Sequence, residues 1–377
     1  MIIYVKDFVR PSGDMDCAEG IRAAVAKASE MNATQIVFEA GVYYLKSTVR
    51  VITDVMLHDA GSPVDQAYKD AHIYVEKMND ITFLGAKDDA GNPVTVFAGY
   101  NDLENHSFLP SILWASECNH ITFENIKLKR TPEYSSAGKV VSRGQRYIDV
   151  EVFPGNPIRD NMGVHCMNAF FPNVKKLKGE SVTYGPGASD TFKQIDEKTL
   201  RLNDWSVASK VSIGDIVSWH QGGQTDFQVY FCMCQNLKLQ NIHTANANGF
   251  AMISDRCKNI YADKVEFKPE GNLYFTAPRD AWKLLQCSGD IVIDHMYIEG
   301  VRMDGQNMHS NFIILEEKVS PKKAVFFCRY AKRQFSGIVE FYTDSDCFDA
   351  ALLDYQFIKE GTGGNYYELT FADDMPE

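Results

Sequence analysis

Three aspartates are spaced so that winding of the chain could bring their carboxyl groups together. Asp255 and Asp280 are 25 residues apart, and Asp280 and Asp304 are 24 residues apart. If one coil of the chain has about that length, the three side chains lie on neighbouring strands about 4.8 Å apart. Hydrolysis of a glycosidic bond needs two carboxyl groups, one acid and one base or nucleophile. The spacing therefore predicts Asp255, Asp280 and Asp304 as catalytic residues.

Close carboxylates also influence one another. Like charges at that distance raise at least one pKa, which is how an acid can stay protonated near neutral pH. The alternative is that the three aspartates sit at separate turns and face solvent independently. The chain has 50 acidic residues, so a chance match to the coil length is easy.

The segment from 302 to 309 is rich in side chains that could hold a sugar. Gly305 allows close approach of a ligand to the backbone. Near Asp280, aromatic rings could stack on a pyranose face, although core packing is the commoner role of such rings. The predicted substrate-binding residues are Arg279, Trp282, Lys283, Arg302, Gln306, Asn307 and His309.

Other chemistries lack their motifs. The chain contains no His-Glu-x-x-His zinc motif, no Gly-x-Ser-x-Gly elbow and no phosphate-binding Gly-x-x-x-x-Gly-Lys. Its nine cysteines include Cys232-Met-Cys234, which has no second pair to complete a zinc site. We expect reduced, packed cysteines, no metal and no cofactor.

A short unit of strand, turn and strand recurs along the chain. The turn carries Asn in Asn79-Asp-Ile-Thr-Phe83 and Asn119-His-Ile-Thr-Phe123, and again at Asn236 and Asn259. Asn tolerates the left-handed conformation that such turns use, and stacked Asn side chains can bond to one another. Asn236 and Asn259 are 23 residues apart, about one coil of a three-faced β-helix. The sequence predicts an all-β protein, a right-handed parallel β-helix.

Two further features complete the predicted architecture. Apolar residues recur at helical spacing between Cys17 and Met31, with Asp16 as the N-cap, which predicts a helix that caps the open end of the β-helix. Short alternating runs interrupt the repeats twice and indicate small β-barrel modules. The predicted domains are 1–137, β-helix coils with the capping helix; 138–225, an inserted barrel; 226–315, coils with the active site; and 316–377, a second β-module.

Composition excludes some classes of function. The formal net charge of -12 argues against a sequence-independent nucleic-acid binder, which needs a basic surface. No apolar run reaches the roughly 18 residues that span a bilayer, and no signal peptide is visible. We expect a cytoplasmic protein, or a secreted one if a leader has been removed, whose partner is an oligosaccharide or polysaccharide rather than nucleic acid or membrane.

The chain resembles family 110 of the glycoside hydrolases, the inverting α-1,3-galactosidases. The likeness includes Phe38-Glu-Ala-Gly-Val-Tyr43, the segment 121–132, Asp280-Ala281 with Cys287-x-Gly289, and Asp304-Gly-x-Asn307-x-His309. The resemblance implies a β-helix with small barrels, exo-hydrolysis of a terminal α-linked galactose or a related sugar, and catalytic roles for Asp280 and Asp304.

Two positions depart from the family pattern. The family carries two adjacent Asp residues before Asn-x-His, and here the first is Met303, which cannot donate a proton. A His-Phe pair of the family is Lys283-Leu284 here. One hypothesis is that the general acid has moved to Asp255. Two alternatives remain open: a polysaccharide lyase or epimerase with an Arg or Lys base, and a non-catalytic carbohydrate-binding protein.

Overall fold

The structure, a computed structural model, forms two compact units. The first comprises residues 1–49 and 70–309, and the second comprises residues 50–69 and 310–377. Described residues are 1–52, 58–59, 62–63, 68–102, 109–172, 174–179, 181–184, 191–222, 227–310, 312–329, 335, 337–342 and 347–375.

Strands dominate the element order. In sequence, the elements are β1 (Ile2–Tyr4), a 3₁₀ turn (Val5–Asp7), α1 (Ala18–Glu30), β2 (Gln35–Val37), β3 (Gly41–Leu45), β4 (Val49–Ile52), β5 (His58–Asp59), β6 (Ser62–Pro63), β7 (Tyr68–Glu76), β8 (Asn79–Leu84), β9 (Thr95–Tyr100), β10 (Ser111–Ser116), β11 (Asn119–Thr131), β12 (Ser135–Arg143), β13 (Ile148–Val152), β14 (Cys166–Phe170), β15 (Thr183–Tyr184), β16 (Lys193–Gln194), β17 (Thr199–Leu202), α2 (Trp205–Lys210), β18 (Ile216–His220), β19 (Phe227–Cys232), β20 (Gln235–Thr244), β21 (Phe250–Asp255), β22 (Lys258–Phe267), β23 (Trp282–Leu285), β24 (Ser288–Asp294), β25 (Tyr297–Ile298), β26 (Gln306–His309), β27 (Ile313–Ser320), β28 (Lys323–Arg329), β29 (Ile338–Tyr342), β30 (Cys347–Gly361) and β31 (Gly364–Phe371).

Parallel strands of the first unit stack in successive coils. One face has the order β26-β23-β21-β19-β10-β7, and the next has the order β1-β2-β8-β11-β20-β22-β24. The long strands β11, β20 and β22 continue past a bend, and β9 and β25 pair with these continuations to form a third face. Every one of these pairings is parallel, so the predicted parallel β-helix is confirmed.

Each coil turns from the first face to the second through the same backbone conformation. Asp80, His120, Asn236 and Asn259 all have a φ between 50° and 57°, and Gly289 follows them in the next coil with a φ of 72°. The Asn259 amide donates to Asn236 over 3.0 Å, and the Asn236 amide donates to Asn119 over 2.9 Å. Left-handed turn residues and stacked amides therefore set the spacing of the coils.

Four cysteines form a column inside this corner. The flanking strand registers place Cys118 opposite Cys234, Cys234 opposite Cys257 and Cys257 opposite Cys287, one coil apart each time. The first three are buried, and Cys287 is half-buried. Cys257 lies 3.6 Å from the Phe231 carbonyl oxygen. These thiols pack as small apolar side chains in the core.

The helix α1 covers the first coil. It buries Ile21, Ala24, Val25 and Ala28 in the same core as the β-helix strands. Asp16 accepts the backbone N–H of Ala18 over 3.0 Å and also the N–H groups of Lys46 and Ser47. The capping helix is thus present. The N-cap position itself is Cys17, one residue after the predicted Asp16, because the Asp16 carboxylate is shared with a neighbouring loop.

An antiparallel sheet lies between β11 and β19 in sequence and belongs to the first unit. Its strand order is β15-β14-β18-β12-β13-β17-β16, and its core centres on Trp219, Met167 and Phe192. We call this sheet with α2 the inserted module. The predicted boundary at 225/226 lies outside the described residues.

The second unit contains a five-stranded antiparallel sheet with the order β27-β28-β31-β30-β29. Phe326, Tyr367, Leu369 and Phe371 are buried in its own core. Neither helix in the described part of the chain is long and apolar enough to cross a membrane.

Candidate active site

The strand registers put two of the predicted aspartates side by side. On the first face, Met252 pairs with Trp282 and Trp282 pairs with Gln306. The N–H of Ala251 donates to the Asp280 carbonyl over 3.1 Å, and the N–H of Ala281 donates to the Asp304 carbonyl over 3.0 Å. Asp280 and Asp304 are therefore neighbours in adjacent coils, about 4.8 Å apart along the stack. We call them the carboxyl pair.

The two carboxyl groups of this pair differ in environment. Asp280 is only 2% exposed, whereas Asp304 is exposed. Burial raises the pKa of Asp280, and the neighbouring Asp304 raises it further. Asp280 is therefore the member of the pair that favours the protonated form, and Asp304 is the member that a ligand in solvent can reach.

A short chain of hydrogen bonds orients Asp304. The Asn307 amide donates to Asp304 Oδ2 over 2.7 Å, and Asn307 Oδ1 lies 2.8 Å from His309 Nδ1. Burial lowers the pKa of His309, and the nearby Lys283 lowers it further, which favours the neutral imidazole. These contacts bring Asp304, Asn307 and His309 together as predicted.

Two cations lie on the buried side of the carboxyl pair. The Arg279 guanidinium carbon is 4.7 Å and Lys283 Nζ is 5.2 Å from the centre of the Phe250 ring. Both charges act to lower the pKa of Asp280 but do not offset burial and Asp304. Phe250, which the sequence did not single out, thus holds both cations through its ring face. In the sequence, the clue to a role for Phe250 is its position one coil before Asp280.

The structure does not bring Asp255 to the carboxyl pair, so the predicted ladder of three carboxylates is wrong. Asp255 pairs in register with Leu285 and not with Asp280. It is completely buried, accepts two hydrogen bonds from Arg256 at 2.9 and 2.7 Å, and accepts the Tyr230 hydroxyl over 2.8 Å. Residues that pair between these two coils are 30 positions apart in the sequence, as Asp255 and Leu285 are, because the connection after β22 is long.

Trp282 also departs from its predicted role. Its ring is completely buried in the β-helix core, and its Nε1 donates to Ser254 Oγ over 3.1 Å. A side chain in this position cannot stack on a sugar, so the prediction of Trp282 as a substrate-binding residue is wrong. Its neighbour Lys283 points to the opposite side of the strand, as alternation requires.

The remaining predicted residues lie near the pair at different depths. Gln306 begins β26, two residues after Asp304, and is half-buried. Its Nε2 has no hydrogen-bond partner among the described residues. Arg302 is half-buried and faces the inserted module. Burial raises the pKa of Cys166 in that module to about 12, and the positive charge of Arg302 acts in the opposite direction. Within the described ranges, no group of three or more His, Cys, Asp or Glu residues is placed to hold a metal ion.

The chain is similar in sequence to proteins of the family that its motifs resemble. An alpha-1,3-galactosidase A from Streptomyces avermitilis is 21% identical over 374 residues, which cover 90% of this chain and 57% of that protein. An alpha-1,3-galactosidase B from Phocaeicola vulgatus is 23% identical over 135 residues, which cover 35% of this chain and 23% of that protein. The resemblance to the alpha-1,3-galactosidases is confirmed. The chain spans just over half the length of the Streptomyces relative.

Solved structures show only a low overall similarity to the chain. No protein-family model matches the chain. A mannuronan C-5 epimerase A-module from Azotobacter vinelandii has a TM-score of 0.35 at 12% identity, covering 81% of this chain and 58% of that chain. An exopolygalacturonase from Thermotoga maritima has a TM-score of 0.32 at 13% identity, covering 82% of this chain and 55% of that chain. The parallel strand registers themselves establish the β-helix.

Proposed function

We propose that this protein is a glycoside hydrolase that removes a terminal α-linked galactose, or a closely related sugar, with inversion. The observation that carries the proposal is the carboxyl pair: Asp280 and Asp304 are adjacent in the stack, one buried with a raised pKa and one exposed. The choice of galactose and of an α-linkage comes from the chain's similarity to alpha-1,3-galactosidases.

The roles follow from the two environments. Asp304, oriented by the Asn307 amide, takes a proton from the water that attacks the anomeric carbon. The departing oxygen takes its proton from Asp280, whose raised pKa suits an acid. Because the two groups are neighbours, a proton can return from Asp304 to Asp280 after each turnover. This assignment replaces Asp255, which is held in its own buried ion pair.

The test is incubation with galactosyl-α-1,3-galactose, with the released galactose followed by proton NMR. Inversion predicts that the β-anomer appears first. Release of the α-anomer would contradict inversion and would indicate the covalent glycosyl-enzyme intermediate of a retaining hydrolase. A product that absorbs in the ultraviolet would indicate a lyase, and no release from any α-galactoside would contradict hydrolysis.

One observation favours a second candidate, a non-catalytic sugar-binding protein. Met303 stands where the resemblance to the α-1,3-galactosidases implies an acid, and its side chain, which cannot donate a proton, is 41% exposed. Met303→Asp distinguishes the two. If Asp280 already serves as the acid, the variant should change turnover by less than about threefold. A gain of about 10²-fold or more, the range of a supplied general acid, would show that the natural chain lacks one.

A further inference from the structure

Four cysteines form the column at the corner of the β-helix, and one of them differs from the others. Cys118, Cys234 and Cys257 are buried, whereas Cys287 is half-buried. The residue after it, Ser288, is exposed. A small solute can therefore approach Cys287 from solvent, while the other three thiols lie inside the core.

Cys257 and Cys287 are neighbours on adjacent parallel strands. The N–H of Ser288 donates to the Cys257 carbonyl over 3.0 Å, and the strand registers on both sides place the two cysteines opposite each other. Their Cα atoms are therefore about 4.8 Å apart, inside the range of roughly 4.4–6.8 Å that disulfides span. The two side chains are also close enough for a thiol–thiol hydrogen bond. A bond between the two sulfurs can form without separating the coils.

The two thiols differ in how readily they ionise. The hydrogen bond with Cys257 lowers the pKa of Cys287 and outweighs the opposing effects of burial and of the Asp255 charge. Burial raises the pKa of Cys257 well above its usual value. Because the thiolate is the form that reacts with peroxides, Cys287 is the nucleophile of the pair and Cys257 remains a protonated thiol beside it.

We propose that Cys287 is an oxidation site for hydrogen peroxide and that Cys257 converts the oxidised thiol into a reversible disulfide. The Cys287 thiolate attacks one peroxide oxygen, the O–O bond breaks, and the departing hydroxide takes a proton to become water. This leaves a sulfenic acid on Cys287. The Cys257 sulfur then attacks the Cys287 sulfur, the S–O bond breaks, and the hydroxyl group leaves as water with the Cys257 proton. Two thiols and one peroxide thus give one disulfide and two waters.

The disulfide joins the two ends of a long segment. Residues 258–286 lie between the cysteines and contain β22, the connection after it, Asp280 and β23. In parallel strands the Cβ atoms are farther apart than the roughly 3.8 Å of an unstrained disulfide, which makes the bond easy to reduce. The bond therefore forms and breaks with the peroxide level and ties down the segment that carries Asp280. No step involves a sugar, so the inference does not depend on the proposed function.

Peptide mapping of the oxidised protein tests the proposal. The folded Cys347→Ser protein, which lacks an exposed thiol of the natural chain, is treated with enough hydrogen peroxide to oxidise added glutathione, then alkylated and digested. Mass spectrometry should find the Cys257 and Cys287 peptides joined, with two hydrogen atoms lost, and dithiothreitol should separate them. A Cys287 that stays reduced, or one that is oxidised without joining Cys257, would overturn the proposal.

The variant Cys257→Ala separates the two steps. It keeps a small apolar side chain in the core, and it removes the thiol that attacks the sulfenic acid. Dimedone, which traps sulfenic acids, should label Cys287 at least about fivefold more in this variant than in the unchanged chain. Equal labelling of the two proteins would show that Cys257 does not react with the oxidised Cys287.

The pair of Cys118 and Cys234 is the matched control for access. These thiols are also opposite each other on adjacent parallel strands, but both are buried. They should stay reduced under the peroxide that joins Cys257 to Cys287. A disulfide between Cys118 and Cys234 under the same conditions would contradict the selection of Cys287 by its access to solvent.

Discussion

Asp255 and Asp280 are both buried in the β-helix, and they show what burial does to a carboxyl group with and without a partner. Asp255 receives two hydrogen bonds from Arg256 and one from Tyr230. Asp280 has the like charge of Asp304 beside it, and the cations nearby do not prevent its pKa from rising. Asp255 is therefore held in a buried ion pair, whereas the environment of Asp280 favours a proton on its carboxyl group.

Coil spacing selects candidate carboxyl groups, and the immediate partners of each group decide between them. An acid that is fully paired in the core contributes to the fold. An acid that is partly desolvated beside another acid, with one member open to solvent, has the kind of environment that general acids use.

Asp304→Asn should lower kcat by about 10²–10⁴-fold, the usual contribution of a positioned general base. The side chain is exposed, so Tm should change little. Steady-state kinetics on galactosyl-α-1,3-galactose, together with a thermal melt, measures both. Turnover within a few-fold of the natural chain would show that this aspartate does not act on the substrate.

Asp255→Asn should instead act through stability. Removing one member of a buried pair leaves Arg256 uncompensated, which costs about 3–5 kcal/mol of unfolding free energy. Denaturant titration measures this loss. As a control, Asp149→Asn removes a similar bidentate pair with Arg201, whose side chain is 37% exposed, and should cost less. A folded Asp255→Asn protein that has lost only turnover would return Asp255 to the catalytic group.

The regular coils could be predicted from the sequence, whereas the insertion between two of them could not. The 23-residue interval between Asn236 and Asn259 predicts the β-helix because each coil needs a left-handed residue at the same corner. In the earlier coils that residue is Asp80 or His120, one position after the predicted Asn79 and Asn119. The adjacency of Asp280 and Asp304 was predictable because the residues that pair between their coils are 24 positions apart, close to one regular coil. Asp255 was misplaced because the connection between β22 and β23 is longer than one turn, and periodicity carries no information about an insertion. Trp282 was misplaced because composition does not tell which side of a strand faces the core.

The pH dependence of stability should distinguish Asp280 from a paired carboxylate. Its pKa is raised in the folded state, so folded protein binds this proton more tightly than unfolded protein. The associated stability is present below the unfolded pKa of about 3.9 and is lost as pH rises through the folded pKa. Asp280→Asn cannot titrate, so its Tm relative to the natural chain should increase across that window. Parallel Tm curves would contradict a raised pKa.

Asn307→Ala should have the smallest effect of the four, because Asn307 acts through Asp304 and does not itself exchange a proton. Loss of the 2.7 Å hydrogen bond to Asp304 removes an interaction with a charged group worth about 1.5–3 kcal/mol, or roughly 10–100-fold in kcat. KM should stay within about twofold, since orientation of the base matters mainly in the transition state. Met308→Ala, next in the chain and 55% exposed, is the control that should leave both constants unchanged. A rise in KM with kcat unchanged would indicate that Asn307 binds the sugar and does not orient Asp304.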